Sequence, residues 1–415
     1  MNYNIDTLKS GMRVIHRPTT SPVVYCGIAV KAGTRDERPG EEGLAHFCEH
    51  LTFKGTRRRT ALQIINAIEG LGGEMNAYTN KEDTVYYVAI QRDHLAKAVD
   101  VLCDIVFCSQ YPQAEVEKEA EVVCDEIESY EDSPSELIYD DIENLLFEGH
   151  PLGHNILGNS PQLRTYTSDD ALRFTRRHYR PDNCVFFASG DIPFSRLCRL
   201  VEKAEAVAVP SSPVAPSSPA VPFVATVSQP PLPSQTVIRH RATHQAHVML
   251  GTPAFAATDP QRWALYLLNN VLGGPGLNSR LNLSLRERHG LVYTVDSSMV
   301  CYSDAGCWCV YFGCDPDDME RCRRLVRHEL DRLMHTPLTP RQLQAAKRQL
   351  YGQLAIACDN NEQFTLDFAR NFLHHGKGRN LDDIIAHVES VTADDLLHTA
   401  QTIFDPARIT TLIYQ

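Results

Sequence analysis

The chain has 415 residues, and its 40 Lys and Arg against 52 Asp and Glu give a formal net charge of -12. This length exceeds what one hydrophobic core usually serves, so two or more domains are expected, and 23 Gly and 24 Pro are too few for a fibrous or largely disordered chain. The acidic balance argues against nucleic acid or an anionic membrane as the main partner, and no apolar run approaches the roughly 20 residues of a membrane span.

The first residues predict a β-hairpin that turns at Ser10-Gly11. They read MNYNIDTLKSGMRVIHRP and lack the apolar stretch of a signal peptide. Thirteen cysteines are scattered along the chain without the spacing of a disulfide framework. We therefore expect a cytoplasmic protein with reduced thiols.

The next segment carries a candidate metal site. Residues 43–50 read GLAHFCEH, and in a helix His46 and His50 would share one face, with Glu49 directly before the second His. Two neutral imidazoles one turn apart can chelate Zn²⁺, and the adjacent Glu can take a proton from a water that the metal activates. The order H-x-x-E-H reverses the commoner H-E-x-x-H. The alternative is a surface helix with ordinary histidines.

A catalytic zinc needs a third protein ligand, and an acidic segment supplies candidates. Residues 114–130 read AEVEKEAEVVCDEIESY, which predicts a helix. Glu119 and Glu126 are seven residues apart, or two helical turns, and so lie on one face. Periodicity does not choose between them, because both would point the same way.

The two halves of the chain repeat one pattern. Thr167-Ser-Asp-Asp and Thr392-Ala-Asp-Asp, 225 residues apart, both predict the start of a helix, and each is followed by a proline and an apolar strand. Residues 207–235 contain eight prolines and predict an extended linker. We therefore predict an α+β fold of two duplicated domains, residues 1–206 with the zinc motif and residues 236–415 without it, each a mainly antiparallel sheet with helices packed on it.

Several segments together resemble a known family. Residues 31–56, KAGTRDERPGEEGLAHFCEHLTFKGT, are similar to the active-site region of the pitrilysin/insulinase-type zinc metallopeptidases. Residues 72–88, 149–153, 179–183, 272–281 and 285–293 also resemble the family's pattern, so the similarity covers essentially the whole chain. In length the chain is similar to the half-length bacterial members and to the catalytic subunit of the mitochondrial processing peptidase.

The resemblance implies a zinc site in the first half. His46, His50 and Glu126 fall on the family's three ligands, which implies one Zn²⁺ per chain. Glu119 matches a family Glu that supports a zinc-binding His. Glu49 would then be the general base, near the metal but not bound to it.

The resemblance also implies contacts with the substrate. Arg286 and Tyr293 fall on a family Arg and Tyr that are associated with substrate binding and with the transition state. The strand around Asn76 and Ala77 lies in a segment that the family places beside the zinc, and we expect it to pair with an extended peptide by β-augmentation. That mode reads backbone more than side chains, which predicts loose sequence specificity.

The expected function is that of a zinc endopeptidase that cleaves unfolded peptides inside a clamshell chamber. In full-length relatives four such units enclose the chamber, and this chain supplies two, so we expect a homodimer in which Arg286 and Tyr293 reach the partner's zinc. The alternative is a non-catalytic scaffold or partner subunit of the same fold. A scaffold would have no reason to keep the ligands, Glu49, Arg286 and Tyr293 together.

Overall fold

The computed structural model describes residues 2–208, 234–241 and 243–415. In its first half six strands, β1 to β6, are Asn4–Thr7, Arg13–Pro18, Val23–Val30, Glu74–Thr79, Thr84–Gln91 and Cys184–Gly190. Eight α-helices, α1 to α8, are Leu44–Thr52, Ala61–Ile68, Leu95–Cys108, Gln113–Glu131, Pro134–Leu146, Ser160–Leu163, Ser168–His178 and Phe194–Ala208.

The second half repeats this mixture of strands and helices. Its strands, β7 to β11, are Thr236–Arg239, Ala246–Pro253, Val292–Cys301, Gly306–Cys314 and Thr410–Tyr414. Its α-helices, α9 to α14, are Arg262–Gly273, Met319–His335, Pro340–Asp359, Asn361–His375, Leu381–Ser390 and Ala393–Ile403, and a π-helix covers Asn282–Glu287. Within the described residues, no helix is both long enough and apolar enough to cross a membrane.

The sheets of the two halves have the same topology. One has the order β1-β2-β6-β3-β5-β4 and the other the order β7-β11-β8-β10-β9. When β1 is left out, the strands of the first sheet correspond in order to those of the second: β2 to β7, β6 to β11, β3 to β8, β5 to β10 and β4 to β9. In each half the first strand in sequence therefore lies beside the last. The first and last strands pair in parallel in both sheets, and the remaining pairs are antiparallel. The predicted α+β fold of two duplicated units with mainly antiparallel sheets is confirmed.

Local sequence signals account for several element boundaries. Thr167 and Thr392 are the N-caps of α7 and α14, and each forms a capping box with the Asp three residues later. The predicted strands after these helices are β6 and β11. The predicted N-terminal hairpin is formed by β1 and β2, with Gly11 at a φ of +91° in its turn.

The chain divides into two compact units that exchange one helix each. The first unit contains residues up to Glu128, the segment from His154 through α8, and Ala357–Asn380, which includes α12. The second contains Ser129–Gly153, which includes α5, together with the rest of the second half. The sequence-based division into halves did not include this exchange. Most of the predicted linker lies outside the described residues, so the domain limits stay a prediction.

The exchanged helices cover sheet faces that would otherwise be open. Every residue of β6 and of β10 is buried, so both faces of these strands need a cover. In the first unit α12 packs its aromatic side chains on strand residues Ile15, Ala29, Val185 and Phe187. In the second, apolar residues of α5 pack on Met249, Cys307, Cys309 and Leu412. Each unit therefore depends on a helix that the other half encodes.

Candidate metal centre

The helix α1 presents the H-x-x-E-H motif, as predicted. Its N-cap is Gly43, which has a φ of +86° and no side chain with which to cap the helix. The carboxylate of Glu37 takes that role, since it accepts hydrogen bonds from the backbone N–H of Gly43 at 3.1 Å and of Ala45 at 2.7 Å. The start of α1 is thereby fixed at Leu44, two residues before the first His.

Glu37 is itself held inside the first unit. Its side chain is almost fully buried and lies 2.8 Å from Nε2 of His154, where the chain re-enters this unit. Lys81, in the turn after β4, donates to the backbone carbonyl of His154. Burial raises the pKa of Glu37 to about 7, against the hydrogen bonds from His154 and the helix N–H groups.

The three residues expected to bind zinc lie together. Glu126 Oε2 is 3.9 Å from Nε2 of His46 and 3.6 Å from Nε2 of His50. One ligand atom from each of the three residues lies within 4.8 Å of the others. Among the described residues this is the one group of three His, Cys, Asp or Glu side chains with that property.

These distances suit a tetrahedral zinc site. Ligands bound at about 2.05 Å in tetrahedral geometry lie about 3.4 Å apart. The observed 3.6 and 3.9 Å need only small side-chain movements to reach that value. Two imidazoles and one carboxylate also form the donor set of catalytic zinc sites, which keep one position open. The residues therefore fit zinc.

The pKa values of the two histidines are shifted in opposite directions. Burial, together with the neighbouring His50, lowers the pKa of His46 to about 3, so this ring is neutral and able to bind a metal at neutral pH. Burial also opposes a charge on His50, but the hydrogen bond that its ring donates to Glu119, together with the nearby carboxylates, outweighs burial and raises the pKa of His50. Nδ1 of His46 is buried and has no hydrogen-bond partner among the described residues.

Glu119 supports His50 rather than facing the cluster. Its Oε1 is 3.0 Å from Nδ1 of His50, and its Oε2 is 2.6 Å from Nζ of Lys54. Burial favours the neutral acid, but His50 and Lys54 outweigh it and hold the pKa of Glu119 below its usual range. An ionised Glu119 must accept the Nδ1 proton of His50, which leaves the Nε2 lone pair for a metal.

Glu49 lies on α1 between the two histidines and is 8% exposed. Its Oε2 accepts a hydrogen bond of 2.6 Å from the hydroxyl of Thr79, the last residue of β4. Burial raises the pKa of Glu49, while the bond from Thr79 and the charge of His50 oppose the shift. A raised pKa makes the carboxylate a stronger base than one in water.

Of the residues expected to contact substrate, Asn76 and Tyr293 are exposed, and Ala77 and Arg286 are half-buried. Asn76 and Ala77 are in β4, at the edge of the six-stranded sheet, and their register partners in β5 are Tyr87 and Tyr86. In the second unit the guanidinium of Arg286 lies 5.6 Å from the ring centroid of Tyr293, a cation–π contact. Tyr293 is 81% exposed, so its phenol is open to a ligand.

The structure adds residues that the sequence analysis did not single out. Lys54 and Glu37 both fall within the quoted segment 31–56, and Thr79 falls within 72–88. Neither periodicity nor metal-ligand spacing marks them, because each acts through a hydrogen bond that neither pattern describes. Strand alternation is the one available signal for Thr79, since it places this residue on the same face as Met75 and Ala77.

Comparison with known proteins gives family matches over most of the chain. Residues 13–160 match the model described as insulinase, peptidase family M16, and residues 165–350 match the peptidase M16 inactive domain. An uncharacterized zinc protease of Streptomyces coelicolor is 35% identical over 404 residues, which cover 96% of this chain and 86% of the relative. One of Bacillus subtilis is 30% identical over 400 residues, which cover 96% of this chain and 95% of the relative.

Solved structures share the fold over the full length. A protease from Helicobacter pylori superposes with a TM-score of 0.92 at 22% identity, covering 100% of this chain and 99% of that one. A peptidase M16 inactive domain from Pseudomonas fluorescens gives a TM-score of 0.88 at 19% identity, covering 100% and 98%. At these identities the likeness concerns the fold.

Proposed function

Because this chain belongs to the insulinase family of peptidases, family M16, we propose that it is a zinc-dependent endopeptidase that hydrolyses unfolded peptides. One observation carries the proposal. The ligand atoms of His46, His50 and Glu126 converge within 4.8 Å, and the same short helix that bears both histidines bears Glu49. The similar proteins named zinc proteases support the choice of metal.

The residues that would hold the metal have separate tasks. His46 and His50 would bind it through Nε2 and Glu126 through one carboxylate oxygen, while Glu119 keeps the ring of His50 oriented. When bound, zinc supplies Lewis-acid chemistry, because it lowers the pKa of a water and polarises the carbonyl of the scissile bond. We propose one zinc per chain.

Glu49 performs the proton transfers in this proposal. Its carboxylate accepts a proton from the attacking water and then delivers that proton to the leaving amine. Its burial and its raised pKa suit the first step, since a base of raised pKa takes the proton more readily than a carboxylate in water.

The edge strand β4 supplies a binding surface for an extended peptide. A substrate strand that pairs along Asn76 and Ala77 would be held through backbone hydrogen bonds, so cleavage would depend weakly on side chains. Arg286 and Tyr293 would contact the substrate and the developing oxyanion. We further propose that the working species is a homodimer whose closed chamber admits unfolded chains and excludes folded ones by size.

The replacement Glu49→Gln tests the function. The amide keeps the shape of the carboxylate but cannot accept the proton, so the variant should bind zinc as the wild type does and lose nearly all cleavage of a peptide library. Wild-type cleavage should also stop in a chelator and return with added zinc. Zinc-loaded wild type that cleaves no peptide would instead support the non-catalytic scaffold.

A further inference from the structure

The hydroxyl of Thr79 contacts the carboxylate of Glu49, which is the general base in the proposed function. Its hydroxyl lies 2.6 Å from Oε2 of Glu49, and both residues are buried. Thr79 ends β4, whose alternation points Met75, Ala77 and Thr79 to one face. Met75 and Ala77 pack against the core that contains α1. The hydroxyl of Thr79 is therefore the polar group on a strand face that is otherwise apolar, and it lies next to Glu49.

The surrounding hydrogen bonds determine which group accepts the hydroxyl proton of Thr79. Thr84, its register partner in β5, lies 3.4 Å away, oxygen to oxygen, and donates its own proton to the carbonyl of Ala32 at 2.9 Å. A hydroxyl has one proton to donate, and an ionised carboxylate can only accept. The proton of Thr79 therefore goes to Oε2 of Glu49, the shorter of its two contacts.

The position of Thr79 is itself fixed by the turn that follows it. Asn80 donates through its backbone N–H to the carbonyl of Asp83 at 2.7 Å and through its side chain to the Asp83 carboxylate at 2.8 Å. That carboxylate, which is fully buried, also accepts hydrogen bonds from Arg370 and His374 of α12. A turn held in this way gives the hydroxyl little freedom to follow a carboxylate that moves.

From this geometry we propose that Thr79 is a positioning residue for catalysis. It holds Oε2 of Glu49 in place, so that Oε1 is the oxygen that accepts the proton of the attacking water. This inference rests on the proposed function. Because β4 is also the strand proposed to pair with substrate, the residue that orients the base lies at the end of the strand that binds the peptide.

Two replacements test the role, with a matched control. Thr79→Val keeps the shape and removes the hydroxyl, whereas Thr79→Ser keeps the hydroxyl. Thr365→Val is the control, because Thr365 is buried like Thr79 and donates within its own helix, to the carbonyl of Asn361 at 2.6 Å. Zinc content, the thermal midpoint, kcat and KM on a quenched fluorescent peptide are measured for each.

A misdirected base should slow the chemical step and leave binding intact. We expect Thr79→Val to lower kcat roughly 10- to 100-fold with little change in KM, at unchanged zinc content. Thr79→Ser should restore most of the rate, and Thr365→Val should keep the wild-type kcat. Wild-type kcat in Thr79→Val, or no recovery in Thr79→Ser, would overturn the proposal. So would a loss of zinc that accounts for the lost rate.

A binding measurement separates this inference from the proposed function. A peptide hydroxamate chelates zinc and shares a proton with a neighbouring carboxylate. Its affinity is measured for wild type, Thr79→Val, Glu49→Gln and the double variant. If Thr79 acts through Glu49, Thr79→Val weakens binding in the wild-type background and has no effect in Glu49→Gln. Equal weakening in both backgrounds refutes the role of Thr79 alone, whereas zinc-loaded wild type that cleaves no peptide refutes both proposals.

Discussion

Replacing a core residue of an exchanged helix should destabilise the unit on which that helix packs, and not the half of the sequence that encodes the helix. Phe368 lies in α12 and is fully buried against the strands of the first unit, with its ring centroid 5.2 Å from that of Tyr3 and 6.2 Å from that of Phe364. Replacing a buried Phe by Ala costs about 3–5 kcal/mol. Ile138 of α5 is equally buried in the second unit, and Ile→Ala costs about 2–5 kcal/mol.

Native-state amide exchange followed by mass spectrometry resolves the two effects. Phe368→Ala should lower the protection of β2, β3 and β6, and Ile138→Ala should lower that of β8, β10 and β11. An exposed site on the helix before α12 provides the control. Ile356 is 76% exposed, so Ile356→Ala should change stability by less than about 0.5 kcal/mol. If each core variant instead loosened the strands of its own half, the helix exchange would be wrong.

Three further predictions concern the metal, a buried charge and assembly. His50→Ala should remove most of the zinc found by metal analysis, because two ligands hold the ion far less well than three, and full occupancy would contradict the assignment. Although burial opposes its charge, Asp83 has its pKa held below 3.8 by His374 and Arg370, so the stability it supplies is present above that pH and lost as the pH falls through the folded-state pKa. In denaturant unfolding of the metal-free protein, Asp83→Asn should therefore be less stable than wild type at pH 7, with a difference that shrinks below about pH 4, and a difference independent of pH would count against the ion pair. If Tyr293 reaches the zinc of a partner, Glu49→Gln mixed with Tyr293→Phe under exchange conditions should regain part of the activity, and no recovery once exchange is demonstrated would mean that the pair acts within one chain.

Features with short-range causes could be predicted from the sequence. The capping boxes at Thr167 and Thr392 involve residues three apart, and the shared face of His46 and His50 follows from one helical turn. The choice between Glu119 and Glu126 has a long-range cause. Both point from one face of α4, and the difference is that Glu119 reaches Nδ1 of His50 while Glu126 lies near Nε2.

The packing partners of the exchanged helices and the hydrogen-bond partner of Thr79 could not be predicted, for a related reason. Apolar periodicity indicates that a helix such as α12 has a buried face, but it does not say which sheet covers that face. Strand alternation likewise gives the direction of the Thr79 side chain and not its partner. In both cases the partner is distant in sequence, and only the folded chain brings the two together.

The helix exchange also sets an order of events during synthesis. The last strand of the first sheet ends at Gly190, and α12, which covers that sheet's second face, begins at Asn361. At about 5–20 residues per second, the ribosome needs roughly 10 to 35 seconds to make the intervening segment. During that time Val185 and Phe187 have no cover, and the nascent chain presents an aggregation-prone surface. Ribosome-bound chains stopped before residue 361 should therefore be cleaved readily by protease within β3 and β6 and should depend on a chaperone, whereas chains stopped after α12 should resist.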